Sequence, residues 1–171
     1  MPQTEVITTF LEMRSRPSLA VTRPNRSGML LHLEEPTTGF YRYLYDAIGS
    51  RWGWTARSAM DDAELLAVIT HELVEIFVLY MGGVPAGSFE LDRRREGEVE
   101  LRHFGLVPDF IGRGLGKHLL ASAVDAAWDD EPDRVWVRST NLEHPRGLLT
   151  YQWAGFVPYD SRRHTREESA P

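Results

Sequence analysis

The amino-acid sequence predicts a mixed α/β fold of the α+β class, in which a central, mostly antiparallel twisted sheet is flanked by helices. Two patterns of apolar residues support this prediction. Between positions 36 and 71 they recur every three to four residues, which is typical of amphipathic helices, whereas from position 73 they alternate with other residues, which is typical of strands. A glycine-rich turn after the third alternating segment leads into another helical pattern, so helices and strands alternate toward the C-terminus.

Residues 1–28 precede these patterns and contain two short apolar segments, at 6–13 and 19–22. We interpret residues 1–28 as an N-terminal strand or hairpin extension. Two roles are open for this extension: it extends the sheet of its own chain, or it contacts a second copy in a homodimer. A further short strand is expected at 29–33.

The remaining elements follow from local start and stop signals. Pro36 predicts a helix start, and Gly49 ends the apolar stripe of that helix. Asp61 and Asp62 put negative charge in the first turn of a second helix, where the helix dipole favours it. The predicted helices are 36–49, 61–71, 115–130 and 146–154, and the predicted strands are 73–80, 84–91, 98–107, 134–139 and 156–160.

Length and composition narrow the class of protein. We expect 171 residues to form a single domain, 1–171, with 164–171 as a flexible charged tail. The net charge of −6 argues against nucleic-acid binding and suits a cationic substrate. The absence of cysteine excludes thiolate catalysis and cysteine-based metal sites, and we predict no bound metal. With no long apolar run and no recognisable signal peptide, a cytoplasmic protein without a membrane partner is expected.

Residues 106–120 combine a strand end, a glycine-rich turn and the start of an apolar helix. Gly112, Gly114 and Gly116 remove side chains where the chain turns and where a ligand approaches the backbone. The first N–H groups of the helix have no partner within it, and together with the helix dipole they favour an anion such as a phosphate. Arg113 and Lys117 add positive charge. A glycine-rich turn without a ligand is the alternative.

Two common phosphate-binding motifs do not fit this turn. A Walker loop ending at Gly116 and Lys117 requires glycine at 111 and Ser or Thr at 118, where the chain has Ile111 and His118. A dinucleotide fingerprint from either of the first two glycines requires a third glycine where the chain has Lys117 or Leu119.

The turn resembles motif A of the GNAT superfamily of acyl-CoA-dependent N-acyltransferases, which is Arg/Gln-x-x-Gly-x-Gly/Ala between a strand and a helix. Gly114 and Gly116 match the motif glycines, and Ile111 stands where the family has Arg or Gln. Residues 147–156, Gly-Leu-Leu-Thr-Tyr-Gln-Trp-Ala-Gly-Phe, resemble motif B, small-x-x-x-Tyr-x-x-x-Gly-Phe. The predicted order of elements from position 29 onward is also similar to that of the GNAT fold.

The resemblance implies acetyl-CoA as the co-substrate and assigns roles to individual residues. Tyr151 holds the family's position for the general acid that protonates the departing thiolate. In members with a carboxylate base, that base lies fourteen residues before the first motif glycine, which gives Glu100 here, with Glu98 on the same strand face to hold the substrate cation or share the base role. The residues implied to bind acetyl-CoA are Leu106, Val107, Ile111, Gly112, Arg113, Gly114, Leu115, Gly116, Lys117 and Asn141.

Aromatic residues of the N-terminal half are candidates for the acceptor pocket. Tyr41, Trp52 and Trp54 suit an apolar or cationic amine through packing and cation–π contact. The alternative is that they form core between helix and sheet. For Glu98 and Glu100, the alternative is a solvated strand face paired with nearby arginines, and His103 is then a reserve base.

These observations predict an N-acetyltransferase that transfers an acetyl group from acetyl-CoA to a primary amine by direct attack in a ternary complex. The amine belongs to a small molecule, an amino acid, a polyamine or a protein. Direct transfer needs no covalent nucleophile, which agrees with the absence of cysteine. Two other functions stay open: a non-catalytic acyl-CoA-binding sensor or partner-binding module of the same fold, and a nucleotide-binding enzyme unrelated to CoA.

Overall fold

A computed structural model describes residues 3–20 and 28–167. Helices and strands in this part of the chain follow the predicted order closely. The helices are α1 (Thr38–Gly49), α2 (Asp62–Ile69), α3 (Leu115–Trp128) and α4 (Gly147–Trp153). The strands are β1 (Gln3–Met13), β2 (Gly28–His32), β3 (Val74–Met81), β4 (Val84–Asp92), β5 (Glu98–Leu106), β6 (Arg134–Thr140) and β7 (Val157–Glu167).

The seven strands form one sheet in the order β2-β3-β4-β5-β6-β1-β7. Neighbouring strands are antiparallel except for β5 and β6, which are parallel. The pairing of β5 with β6 covers only Glu98 to Leu101, although β5 continues to Leu106 and β6 to Thr140. The two strands therefore separate at their C-terminal ends, and a gap opens in the middle of the sheet.

Helices cover both faces of the sheet. On one face, α3 buries Leu115, Leu119 and Leu120 in the main core, which also contains Tyr151 of α4. On the other face, α1 and α2 bury Tyr45, Leu65 and other apolar side chains against β3. Local signals start these helices as expected: the Thr37 hydroxyl caps α1, and Asp61 and Glu64 form a reciprocal capping box at α2.

Both ends of the chain differ from the prediction. Strand β1 does not form a hairpin with the following segment but lies between β6 and β7. Leu19 and Ala20 are not in a strand, and residues 21–22 of the predicted hairpin lie outside the described residues. Strand β7 runs to Glu167 and pairs with β1 through Gln3, so residues 164–167 are ordered strand rather than flexible tail. The pairing with β1 supplies the backbone partners that the charged sequence alone did not reveal.

No helix of the described residues is long and apolar enough to span a membrane.

Candidate active site

A cavity of about 520 Å³ lies in the gap between β5 and β6. Its walls come from four places: the end of β5, the glycine turn with the start of α3, the segment from β6 into α4, and the turn after α1. Its lining residues are Trp52, Trp54, Phe104, Gly105, Leu106, Ile111, Gly112, Gly114, Gly116, Lys117, Glu143, His144, Arg146, Gly147, Thr150 and Tyr151. The structure thus brings together most of the loop and motif residues that the sequence singled out.

A bulge in β5 shapes the gap. His103 has a φ of 48°, a left-handed conformation that is uncommon for residues other than glycine, and the register with β4 shifts between Ser88 and Glu90. As a result, Arg102 and His103 both face the side of α1, while Phe104 turns toward α4, where its ring centroid lies 5.9 Å from that of Tyr151. The bulge therefore changes which face of the sheet each later residue of β5 occupies.

Leu106 and Val107 were both implied to bind acetyl-CoA, but only Leu106 lines the cavity. The amide of Val107 donates to the Ala86 carbonyl at 2.8 Å, and its side chain packs with Leu44 and Ile48. Amide directions alternate along a strand, so the N–H of Leu106 points away from β4 and toward the gap. One backbone donor is therefore available here.

The glycine turn has the conformation that its sequence requires. Gly112 and Gly114 have φ values of 83° and 77°, and a Cβ at either position would meet no atom within 4 Å, so backbone conformation rather than space calls for glycine. Gly114 caps α3 without any side-chain hydrogen bond to the first turn. The side chain of Leu115 is buried in the core, so only its backbone is left to contact a ligand. That backbone belongs to the first turn of α3, where the helix dipole favours an anion.

The cationic residues of the turn are not equivalent. Lys117 lines the cavity, with its Nζ atom 4.8 Å from the ring centroid of Trp153. Arg113 is exposed, and its guanidinium lies over Phe110 rather than against the cavity. Ile111 lines the cavity and gives it an apolar surface where the family has Arg or Gln.

Tyr151 lies at the inner wall of the cavity and is buried, with 5% of its surface exposed. Its ring packs against Phe104 and Phe156. Burial, with a smaller contribution from the negative charge of Glu143, raises the pKa of the Tyr151 phenol well above 10. The hydroxyl is therefore protonated at physiological pH.

Glu143 is a site residue that sequence reasoning did not select. It follows β6, lines the same cavity as Tyr151, and accepts a hydrogen bond from the Ser139 hydroxyl at 3.4 Å. Burial raises the pKa of its carboxyl to about 7, against a smaller opposing effect of hydrogen bonds from the Thr140 backbone and Ser139. The available signal was that Glu143 is a lone acidic residue, between Leu142 and His144, in the segment that precedes motif B.

Glu98 and Glu100 do not lie beside Tyr151. They line a different cavity of about 340 Å³, rich in arginine and acidic side chains. Glu100 contacts Arg138 at 2.9 Å, and Glu98 contacts Arg134 at 3.0 Å. These ion pairs correspond to the alternative of a charged strand face, so the structure does not bring the sequence-selected base and the proton donor together.

Two further predicted contacts lie elsewhere. Asn141 holds β1 in place, because its side chain accepts from the Ile7 amide at 2.8 Å and donates to the Glu5 carbonyl at 3.0 Å. Tyr41 lies on the buried face of α1, where its hydroxyl donates to Glu90 at 2.5 Å. Neither residue lines the cavity, whereas Trp52 and Trp54 do.

The reserve base His103 lies next to Tyr45 and Trp54, and 14% of its side chain is exposed. Burial lowers the pKa of its imidazole to about 4, although the nearby charge of Glu90 opposes this shift. The ring is therefore neutral at physiological pH, and its position behind Trp54 supports that side chain.

The geometry defines a class of site. An unpaired helix N-terminus, a gap between two parallel strands with an available amide, and a buried phenol together suit a ligand that carries a diphosphate and an extended arm. A family model described as "Acetyltransferase (GNAT) family" matches residues 37–156. The chain belongs to this family, and the resemblance seen in its two motifs is confirmed.

Solved structures confirm the GNAT fold. A GCN5-related N-acetyltransferase from Kribbella flavida superposes with a TM-score of 0.64 at 16% identity, over 98% of this chain and 61% of that one. An IAA acetyltransferase from Bacillus cereus gives 0.60 at 19% identity, over 78% and 79%. An aminoglycoside acetyltransferase from an uncultured soil metagenomic sample, in complex with trehalose, gives 0.61 at 13% identity, over 75% and 87%.

This chain spans 51% to 65% of the length of five of the similar solved proteins. No curated protein matches its sequence.

Proposed function

We propose that this protein is an N-acetyltransferase that transfers an acetyl group from acetyl-CoA to a primary amine by direct attack in a ternary complex. One observation carries the proposal: a single cavity connects the start of α3, where no side chain caps the first turn, with the buried phenol of Tyr151. Acetyl-CoA is an extended donor that carries a diphosphate and, at the end of its arm, a thioester. The diphosphate fits the start of α3, and the thioester then lies beside Tyr151.

The donor side of the cavity fits acetyl-CoA. The N–H groups at the start of α3 bind the diphosphate, and Lys117 adds a positive charge at the same place. The extended arm of acetyl-CoA lies in the gap between β5 and β6 like an additional strand. The N–H of Leu106 donates a hydrogen bond to it. Gly116 lines the cavity and has no side chain, so the arm reaches the backbone there. The missing side chain of Gly105 instead makes room for Ile48, since a Cβ at Gly105 would lie 2.6 Å from it.

The reaction needs one proton acceptor and one proton donor, and the cavity contains both. Glu143 accepts the proton of the ammonium group, because a carboxyl with a pKa of about 7 exchanges protons near neutral pH. The amine nitrogen then forms a bond to the acetyl carbon, and the carbon–sulfur bond breaks. Tyr151 donates its proton to the departing sulfur, and its burial excludes water from that transfer. The second proton that the nitrogen loses as the amide forms returns Tyr151 to its phenol form, and the proton on Glu143 passes to solvent.

Glu143 is a better base candidate than Glu100 for a geometric reason. Glu143 lines the cavity and is close enough to Tyr151 for its charge to affect the phenol. Glu100 lies on the charged cavity and is ion-paired with Arg138 and Arg102, so its carboxylate is already engaged. The base role therefore passes from the residue selected by sequence spacing to the residue in the cavity.

The experiment compares Tyr151→Phe with Tyr159→Phe, which changes a half-exposed tyrosine on β7 outside the cavity. Acetyl-CoA binding is measured by calorimetry, and turnover by thiol release with a panel of amines. We expect Tyr151→Phe to bind acetyl-CoA normally and lose about a hundredfold or more in kcat, while Tyr159→Phe keeps both. Binding without turnover in the unmodified protein, over the whole panel, identifies a non-catalytic acyl-CoA sensor instead. Absence of acetyl-CoA binding overturns the proposal.

A further inference from the structure

The cavity contains an aromatic region that the donor does not need. Trp52, Trp54, Phe104 and His144 line it, together with Glu143. Trp52 and His144 approach each other edge to face at 5.6 Å between ring centroids and join the turn after α1 to the segment after β6. These rings come from three separate segments of the chain, so the fold assembles an apolar enclosure next to the proton-accepting carboxyl.

The position of Trp54 is fixed by its surroundings. A Cβ at Gly49 would lie 2.2 Å from the Trp54 ring, so only glycine at this place lets the indole pack so closely on the end of α1. The rings of Tyr45 and His103 lie 5.3 Å away on its other sides. An indole held in this way is a rigid wall, and a rigid apolar wall favours a flat apolar group.

The charges of the cavity limit what else the acceptor carries. Among its lining residues Glu143 is the one carboxylate, and Lys117 and Arg146 are the cations. A polyamine brings a second ammonium group, for which these walls supply no second carboxylate. A free amino acid brings a carboxylate next to its ammonium group, which places it near Glu143 and costs electrostatic free energy. Lys117 and Arg146 are both exposed, and neither forms an ion pair with Glu143 among the described residues, so neither is held where it would offset this repulsion.

We infer that the acceptor is a primary monoamine with an aromatic or bulky apolar body and with neither a carboxylate nor a second cation. Its ammonium group faces Glu143, and its body packs between Trp52 and Trp54. This inference rests on the proposed function, because it specifies the acceptor of the same transfer. Trp52 and Trp54 are then specificity-determining residues.

The test measures kcat/KM by thiol release for four amines that differ in one property each. Phenethylamine has the proposed character, propylamine lacks the ring, phenylalanine adds a carboxylate, and putrescine replaces the ring with a second ammonium group. We expect phenethylamine to exceed each of the others by about tenfold or more, since loss of a well-packed group or addition of an unpaired charge typically changes discrimination by this amount.

A variant assigns the preference to the aromatic wall. Trp52→Ala is expected to lower the ratio of kcat/KM for phenethylamine to that for propylamine by about tenfold, and Trp52→Phe to restore most of that ratio. Trp52 is half-buried in a turn, so its removal does not open the core. Circular dichroism and acetyl-CoA affinity check that each variant is folded.

The outcomes separate the two claims. If putrescine or phenylalanine is the best of the four acceptors, or if Trp52→Ala leaves the ratio unchanged, the inferred acceptor class is wrong and the proposed N-acetyltransferase stands. If none of these four amines releases thiol but another primary amine of the wider panel does, the inferred acceptor class is wrong. If no amine of the wider panel releases thiol although acetyl-CoA binds, the proposed function itself fails.

Discussion

The two cavities beside β5 both contain carboxylates, but in opposite surroundings. In the charged cavity, Glu100 is buried among arginines and paired with Arg138 and Arg102. In the gap between the strands, Glu143 lies among aromatic and glycine residues, and its carboxyl has a pKa of about 7. The carboxylate of Glu100 is engaged by two guanidinium groups, whereas Glu143 has no ion pair among the described residues and has a raised pKa that allows proton exchange near neutral pH. Surroundings, more than sequence spacing, thus decide which acid suits catalysis.

The largest expected effect comes from replacing each of the two acids, Glu143 and Glu100, by glutamine. Glu143→Gln removes the proposed proton acceptor while keeping the size of the side chain, so we expect kcat to fall by about a hundredfold to a thousandfold. Glu100→Gln is the matched control and is expected to change kcat by less than about fivefold. Steady-state thiol release measures both. If Glu100→Gln shows the large loss and Glu143→Gln does not, the base selected by sequence spacing is the correct one.

The same two variants are expected to shift stability in opposite directions. The folded-state pKa of Glu143 is raised above its unfolded value, so its burial costs nothing at low pH and an increasing amount as the pH rises from 4.5 through about 7. At pH 8 Glu143→Gln should therefore increase the free energy of unfolding, by up to about 3 kcal/mol. Glu100→Gln breaks ion pairs with Arg138 and Arg102 and should lower it by about 1 kcal/mol. Urea denaturation at pH 8 measures both, and shifts of the same sign contradict the contrast.

The pH dependence of turnover gives a third comparison. Since Glu143 must be deprotonated to accept a proton, kcat/KM should rise with pH up to about 7 and fall about tenfold per unit below it. Glu100→Gln should keep this profile, and the residual activity of Glu143→Gln should lack the inflection. An unchanged inflection in Glu143→Gln would assign it to another group.

The smallest expected effect concerns the donor side. Gly114→Ala places a Cβ at a φ of 77°, which costs about 1 to 2 kcal/mol and shifts the N–H groups at the start of α3. We expect the Kd for acetyl-CoA to rise about five- to tenfold. Gly82→Ala introduces similar backbone strain at a φ of 59° in the hairpin between β3 and β4, away from the cavity, and should leave the Kd unchanged. Equal effects of the two variants on the Kd would mean that strain alone is responsible.

Local patterns allowed much of the fold to be predicted. Helix boundaries lie within a few residues of those expected, because caps such as Asp61 and stops such as Gly49 act over one turn. The glycine turn was also predictable, since Gly112 and Gly114 are required by their own backbone angles. These features depend on residues that are neighbours in the sequence.

What escaped prediction depends on contacts between distant residues. The bulge at His103 was hidden, because nothing in the sequence marks a histidine for a φ of 48°, and with it the faces occupied by the later residues of β5. Asn141 was assigned to the donor, but it holds β1 through Ile7 and Glu5, more than 130 positions earlier. Glu143 was overlooked, because its pKa is raised only by burial in the folded chain, where it lines the cavity with residues of α4 and β5.

The place of β1 has a consequence for how the molecule assembles. Gln3 pairs with Glu167, and β1 is the neighbour that joins β7 to the sheet. Contacts between residues so far apart in the sequence form slowly, because a long loop must close first. Strands β1 and β7 are therefore expected to join the sheet last during folding. A fragment limited to residues 37–156 would lack both strands, and the unpaired edge of β6 would favour aggregation.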